Sequence, residues 1–263
     1  MKKSVQVGLL VALFCPLCAM AQSAVDGTWK ADLSKVQMPK KPDVILLQNG
    51  QYQCKTCMTP VDIKADGQDH AITGQPYIDS MAIQVVDAHT IKETDKKGGK
   101  VVATSTTTVS PDGKMAKFEF SDSSNSNGAP VTGSGEMKQV APGPAGSHAV
   151  SGSWVTAKLA DLSDNATEVT YKVDGGTLSM SSPAGQSYQA KLDGTEAPYK
   201  GDPGITSVTV KQAGKNAIVE TDKRDGKVIA VLKSTVSADG KSMNVVFDDK
   251  LRDRSMSFVA VKQ

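Results

Sequence analysis

Glu93-Thr94-Asp95-Lys96-Lys97-Gly98-Gly99-Lys100-Val101 occurs a second time in this chain, as Glu220-Thr221-Asp222-Lys223-Arg224-Asp225-Gly226-Lys227-Val228. Each copy reads as a hairpin, a polar strand entering a Gly-containing turn and a second strand leaving it. The duplication extends in both directions. Gly74-Gln75-Pro76 returns as Gly201-Asp202-Pro203, and Val109-Ser110-Pro111-Asp112-Gly113-Lys114 as Val236-Ser237-Ala238-Asp239-Gly240-Lys241. All of these pairs share one offset, so the match needs no gap between them. The chain is therefore expected to contain two homologous β modules in tandem.

The strand signal supports that reading throughout. Val, Ile and Thr alternate with polar residues in Ser207-Val208-Thr209-Val210-Lys211 and in Lys227-Val228-Ile229-Ala230-Val231-Leu232. Met81 to Val86 and Lys117 to Phe120 read alike. Period-two alternation puts one face in a core and one in water. Asp-Gly turns punctuate these runs at Asp66, Asp112, Asp174, Asp193, Asp225 and Asp239. Tight turns about every 8–12 residues indicate an antiparallel meander. Asp32 to Val36 and Leu159 to Asp164 are the segments expected to make a short helical turn.

The expected organisation is a signal peptide over 1–21, a first β-barrel repeat over 24–140, a Pro/Gly linker over 141–149 and a second repeat over 150–263. Lys2 and Lys3 form a basic start, Val5 to Leu17 an apolar core too short for a span, and Ala19-Met20-Ala21 an A-x-A site. Cleavage near Ala21-Gln22 makes the mature protein periplasmic or secreted. No later run approaches the roughly 20 apolar residues a helical span requires. A transmembrane barrel needs an apolar outer band with aromatic girdles. The chain is 5% aromatic and its strands carry Lys, Glu, Asp and Thr, so that architecture is set aside. Each repeat has room for about eight strands of ordinary length, which suits a small closed up-and-down barrel.

Charge excludes another class. The chain has 30 basic and 28 acidic residues. Losing Lys2 and Lys3 with the signal brings the two counts level. Nucleic-acid binding needs a dense basic face that displaces counterions, so no nucleic-acid partner is expected.

The mature chain keeps two cysteines, Cys54 and Cys57, in Gln53-Cys54-Lys55-Thr56-Cys57-Met58. In an oxidising compartment such a pair is expected to form a structural disulfide. The alternative is a thiol–disulfide redox pair. That chemistry needs a thiolate stabilised at a helix N-terminus, whereas these flanks read as strand and turn. His70, His89 and His148 lie outside ligand spacing of one another, so no metal is expected. Ser121 to Gly128 resembles a calcium loop only faintly, since Asp122 is its one carboxylate. No nucleophile elbow and no phosphate-binding glycine loop is present. No cofactor and no enzymatic activity are expected.

Glu93 and Asp95, and likewise Glu220 and Asp222, share a strand face. The Lys and Gly residues that follow them suggest the solvent side of a hairpin. Their retention in both copies is then a matter of hairpin folding, not of acid/base work. Gly74-x-Pro76 and Gly201-x-Pro203 read as rigid turns beside Tyr77 and Tyr199, placed to rim a barrel mouth.

Each repeat opens on a shared signature, Asp26-Gly27-Thr28-Trp29 and Ser151-Gly152-Ser153-Trp154. This G-x-W tripeptide resembles the opening motif of lipocalins and fatty-acid-binding proteins, the calycin barrels. Gly27, Trp29, Gly152 and Trp154 would then be barrel-signature residues, each Trp packing across the bottom of a barrel. The Thr-Asp-Tyr loop of lipocalins is absent, Thr94-Asp95-Lys96 being a partial echo. The whole mature chain is similar to an uncharacterised group of exported bacterial tandem-repeat proteins with G-x-W starts and E-T-x-K-x-x-G-K-V hairpins. The resemblance implies fold and location; the function expected for such barrels is that of a non-catalytic exported protein that binds a small apolar ligand in lipocalin-like barrels. The alternative is an envelope structural or protein-interaction module without a ligand.

Overall fold

A computed structural model describes residues 23–56, 60–124 and 127–263. The 1–21 signal segment and Cys57 lie outside the described residues. The fold is all-β, with two antiparallel barrel-like sheets of ten strands each. The first half supplies β1 (Gly27–Gln37), β2 (Asp43–Gln48), β3 (Gln51–Cys54), β4 (Val61–Lys64), β5 (His70–Ala71), β6 (Ser80–Val85), β7 (Thr90–Lys97), β8 (Lys100–Val109), β9 (Met115–Asp122) and β10 (Val131–Pro142). The second half supplies β11 (Gly152–Leu162), a one-turn helix α1 (Asp164–Thr167), β12 (Glu168–Asp174), β13 (Thr177–Ser181), β14 (Ser187–Lys191), β15 (Asp193–Lys200), β16 (Ser207–Gln212), β17 (Ala217–Arg224), β18 (Lys227–Val236), β19 (Ser242–Asp249) and β20 (Arg254–Lys262). Each repeat thus yields ten strands where about eight were expected. Asp32–Val36 lies within β1, and the only helical turn near the second predicted site starts at Asp164.

The repeats exchange their first strands. β1 pairs with β12 on one side and β20 on the other, closing the second repeat's meander into a barrel. β11 pairs with β10 and β2, taking the same place in the first repeat's sheet. Neither sheet is therefore built from 24–140 or 150–263 alone. The five residues Met38-Pro39-Lys40-Lys41-Pro42 separate β1 from β2. Two prolines in that crossing resist the tight reversal needed for β1 to fold back on β2. The first repeat's sheet runs β4-β3-β2-β11-β10-β9-β8-β7-β6-β5 and leaves β4 and β5 at its edges.

Turn chemistry sets the register. Gly98-Gly99 has φ of 56° and 75° between β7 and β8, and Asp225-Gly226 has 51° and 78° between β17 and β18. Paired positive φ values match the twist of adjacent antiparallel strands, which is why the duplicated hairpin carries Gly there.

The G-x-W motif has a mechanical explanation. Gly27 and Gly152 sit at φ of 127° and 137°. A Cβ on Gly152 would lie 2.6 Å from the Ala141 carbonyl oxygen. Two residues on, each Trp is fully buried. Trp29 Nε1 donates to the Val25 carbonyl at 2.8 Å, and Trp154 Nε1 donates to the Val150 carbonyl at 2.9 Å. Because of the exchange, Trp29 packs with Tyr171, Leu178, Val210 and Met243 of the second repeat. Trp154 packs with Leu47, Tyr52, Ile83 and Ile91 of the first.

Candidate functional site

The duplicated acids face inward, not toward solvent as the hairpin reading suggested. Glu220 and Asp222 on β17 are each 5% exposed. Ile218 precedes them on the same strand face and is also buried, while Thr221 and Lys223 occupy the other face. The first repeat follows the same order with Ile91, Glu93 and Asp95, the two acids being half-buried. The apolar residue two places before each Glu marked this face as interior. The Lys and Gly that follow describe only the hairpin tip.

Inside the closed barrel, Glu220 and Asp222 lie side by side on one strand face, and each acts on the other's ionisation. Tyr188 Oη donates to Glu220 Oε2 at 2.6 Å, and the Tyr188 and Tyr199 rings lie 5.7 Å apart. Asp222 Oδ1 is buried with no hydrogen-bond partner. Burial is the main force raising both acids above their ordinary range. The charge of Glu220 adds to it at Asp222, which reaches about 8. In the first repeat, burial lifts Glu93 to about 8 with help from the Asp95 charge, and lifts Asp95 to about 6. Asp95 Oδ1 also lacks a partner.

These shifts set a pH dependence. A carboxyl whose folded pKa exceeds its unfolded value binds a proton in the fold that it releases on unfolding. Stability is then lost as pH rises from the unfolded pKa to the folded one. The groups facing Glu220 and Asp222 are Tyr171, Tyr188, Tyr199 and Asp202, none of them cationic. Stability is therefore expected to fall between about pH 4 and pH 8, each retained proton contributing a slope of up to about 1.4 kcal/mol per pH unit. The double variant Asp95→Asn, Asp222→Asn should flatten that slope. Urea denaturation at pH 5, 7 and 8.5 measures it, and a profile that rises with pH would refute the assignment.

The pair borders a cavity of about 340 Å³ within the barrel. Its walls include Trp29, Tyr171, Met180, Tyr199, Val245 and Phe258, with Ala31, Ala260 and Ser234 leaving space. A second cavity, of about 560 Å³, lies between the two sheets and is lined by residues of both repeats. Asp95, Asp122, Glu168 and Asp202 contribute to it, as do both Gly-x-Pro turns through Gln75 and Pro203. Tyr77 Oη donates to Asp202 Oδ1 at 2.8 Å and so ties those turns together. The two cavities share Ala166, Glu168, Ser182 and Gln186 as lining residues.

The other singled-out residues lie in packing or turn positions among the described residues. Gly27, Trp29, Gly152 and Trp154 are structural, although Trp29 also walls the barrel cavity. Cys54 ends β3 and is buried. Its relation to Cys57 lies outside the described residues. His70 bonds Asp66 at 2.8 Å and His148 bonds the Asp87 carbonyl at 2.7 Å. Among the described residues, no group of three His, Cys, Asp or Glu side chains is placed to hold a metal ion. No described helix is long and apolar enough to cross a membrane. No protein-family model matches this chain, and no curated protein matches it.

Proposed function

We propose that the protein is an exported, non-catalytic carrier that holds a small, mainly apolar ligand inside the closed barrel. The observation that carries this reading is the interior space of about 340 Å³. Small-molecule sites are mostly apolar hollows of about 300–1,000 Å³ with a few polar groups set among them. The barrel interior has that character. Small residues at Ala31, Ser234 and Ala260 stand where larger ones would fill a purely structural core. Export rests on the basic, apolar and A-x-A segments of 1–21.

A neutral fluorescent probe, N-phenyl-1-naphthylamine, is expected to bind the mature protein with micromolar affinity and a blue-shifted emission. Ser234→Leu projects added volume into the cavity and should weaken binding at least tenfold, with the circular dichroism spectrum unchanged. No emission change at any probe concentration would overturn the carrier reading. The barrels would then be filled scaffolds of an envelope interaction module.

A further inference from the structure

We propose that the ligand of the barrel is an organic cation, an amine with an aromatic or aliphatic body, whose ammonium group pairs with Glu220 and Asp222. This rests on the carrier reading and specifies its ligand class. Four observations converge on it.

Asp222 is 5% exposed, borders the cavity, and leaves Oδ1 without a hydrogen-bond partner. A buried polar atom without a partner costs about 1–3 kcal/mol, more when charged. An ammonium donor entering the cavity supplies the missing bond, and the bond is of the strong charge-assisted kind.

The Asp and Glu side chains that line the cavity face no basic side chain among the other lining residues. These acids are Glu168, Glu220 and Asp222; Lys30 pairs with Glu168 at 3.4 Å, and Glu220 and Asp222 have no basic partner among the described residues. The neighbouring cavity adds Asp95, Asp122 and Asp202, again without a basic side chain. An anionic ligand would meet Glu220 and Asp222 with no cation beside them, and a neutral one would leave Asp222 Oδ1 without a partner. A cation is attracted and then neutralised.

The walls suit an ammonium on an apolar body. Tyr171, Tyr199 and Phe258 line the same cavity as the acids. Cations gain from aromatic faces, more so when desolvated. A metal ion fits poorly. Hard cations take six or more oxygens, and among the described residues no cluster of three acidic, His or Cys side chains is formed.

The arrangement is also duplicated. Asp95 in the first repeat has its own unpartnered Oδ1 and faces the inter-sheet cavity. Hairpin folding alone gives no reason for either repeat to keep an inward, unsatisfied carboxylate, since an amide or a Val would serve β pairing equally well.

The test compares two ligands of nearly equal shape by calorimetry on the mature protein at pH 8. Tryptamine carries the ammonium and 3-ethylindole lacks it. Tryptamine is expected to bind at least tenfold more tightly. Asp222→Asn is isosteric and should erase that preference, leaving 3-ethylindole affinity within about twofold. Glu220→Gln, which still accepts from Tyr188, is the second variant and should act in the same direction. Equal affinity of the two ligands, or an unchanged tryptamine affinity in both variants, overturns the cation inference. So does absence of tryptamine binding where the neutral naphthyl probe binds. Failure of all three molecules to bind overturns the carrier reading along with it.

Discussion

Trp29→Ala is expected to destabilise the barrel built from the second repeat, although Trp29 belongs to the first. Truncating a fully buried Trp leaves a large cavity and costs about 3–5 kcal/mol. Trp29 is 0% exposed, and its neighbours are Tyr171, Leu178, Val210, Met243 and Ala260. Its indole N–H is bonded to Val25 at 2.8 Å, so Ala also strands that carbonyl. Hydrogen exchange locates the lesion. Amides across β12 to β20 should lose protection first, with β6 to β10 changed much less. Trp154→Ala should do the reverse, loosening the sheet around Leu47, Ile83 and Ile91. If Trp29→Ala instead deprotected β6 to β10, the strand exchange would be wrong. The two variants thus read out topology through stability, which neither could do if each Trp stayed in its own repeat.

Much of this molecule is legible in its sequence. The duplicated Glu-Thr-Asp-Lys hairpin, the Gly-x-Trp openings and period-two alternation require only local physics. Gly98-Gly99 and Asp225-Gly226 sit at positive φ, as hairpin chemistry asks. Partner choice for the first strands was not legible. β1 and β11 both begin Gly-x-Trp and alternate alike, so either fits either sheet, and alternation fixes a strand's faces without naming its neighbours. The Pro39 and Pro42 crossing was the clue, and it acts on the connection and not on the strand. The acid pairs failed for a different reason. Parity showed that Glu93 and Asp95 share a face, but the inward assignment needed Ile91 and Ile218 to be weighed above the charges themselves. A carboxylate in a barrel interior runs against the usual cost of burying charge. That conflict between local rule and fold is where functional residues are expected.

The second repeat alone, 150–263, is expected to form a dimer by exchanging β11. In the full chain, the place between β12 and β20 is filled by β1. Without β1, that barrel lacks one strand and exposes two unpaired edges, a condition that recruits another strand. β11 is the natural substitute, since it carries the equivalent Gly152 and Trp154 and lies free once β2 and β10 are removed. Five residues, Ser163 to Thr167, connect β11 to β12, and four of them form α1. A connection held in a helical turn carries β11 away from its own β12, as it does in the full chain, so the strand reaches a second copy more readily than its own sheet. Short constrained hinges favour such swapping. Sedimentation of the fragment at micromolar concentration should give a dimer with native-like β signal. Adding a peptide of 24–37 should convert it to a monomer–peptide complex, because β1 is the strand that fills that slot in the full chain. A fragment that is monomeric and as stable as the parent barrel would show that β11 closes on its own repeat, and that the exchange depends on both repeats being present at once.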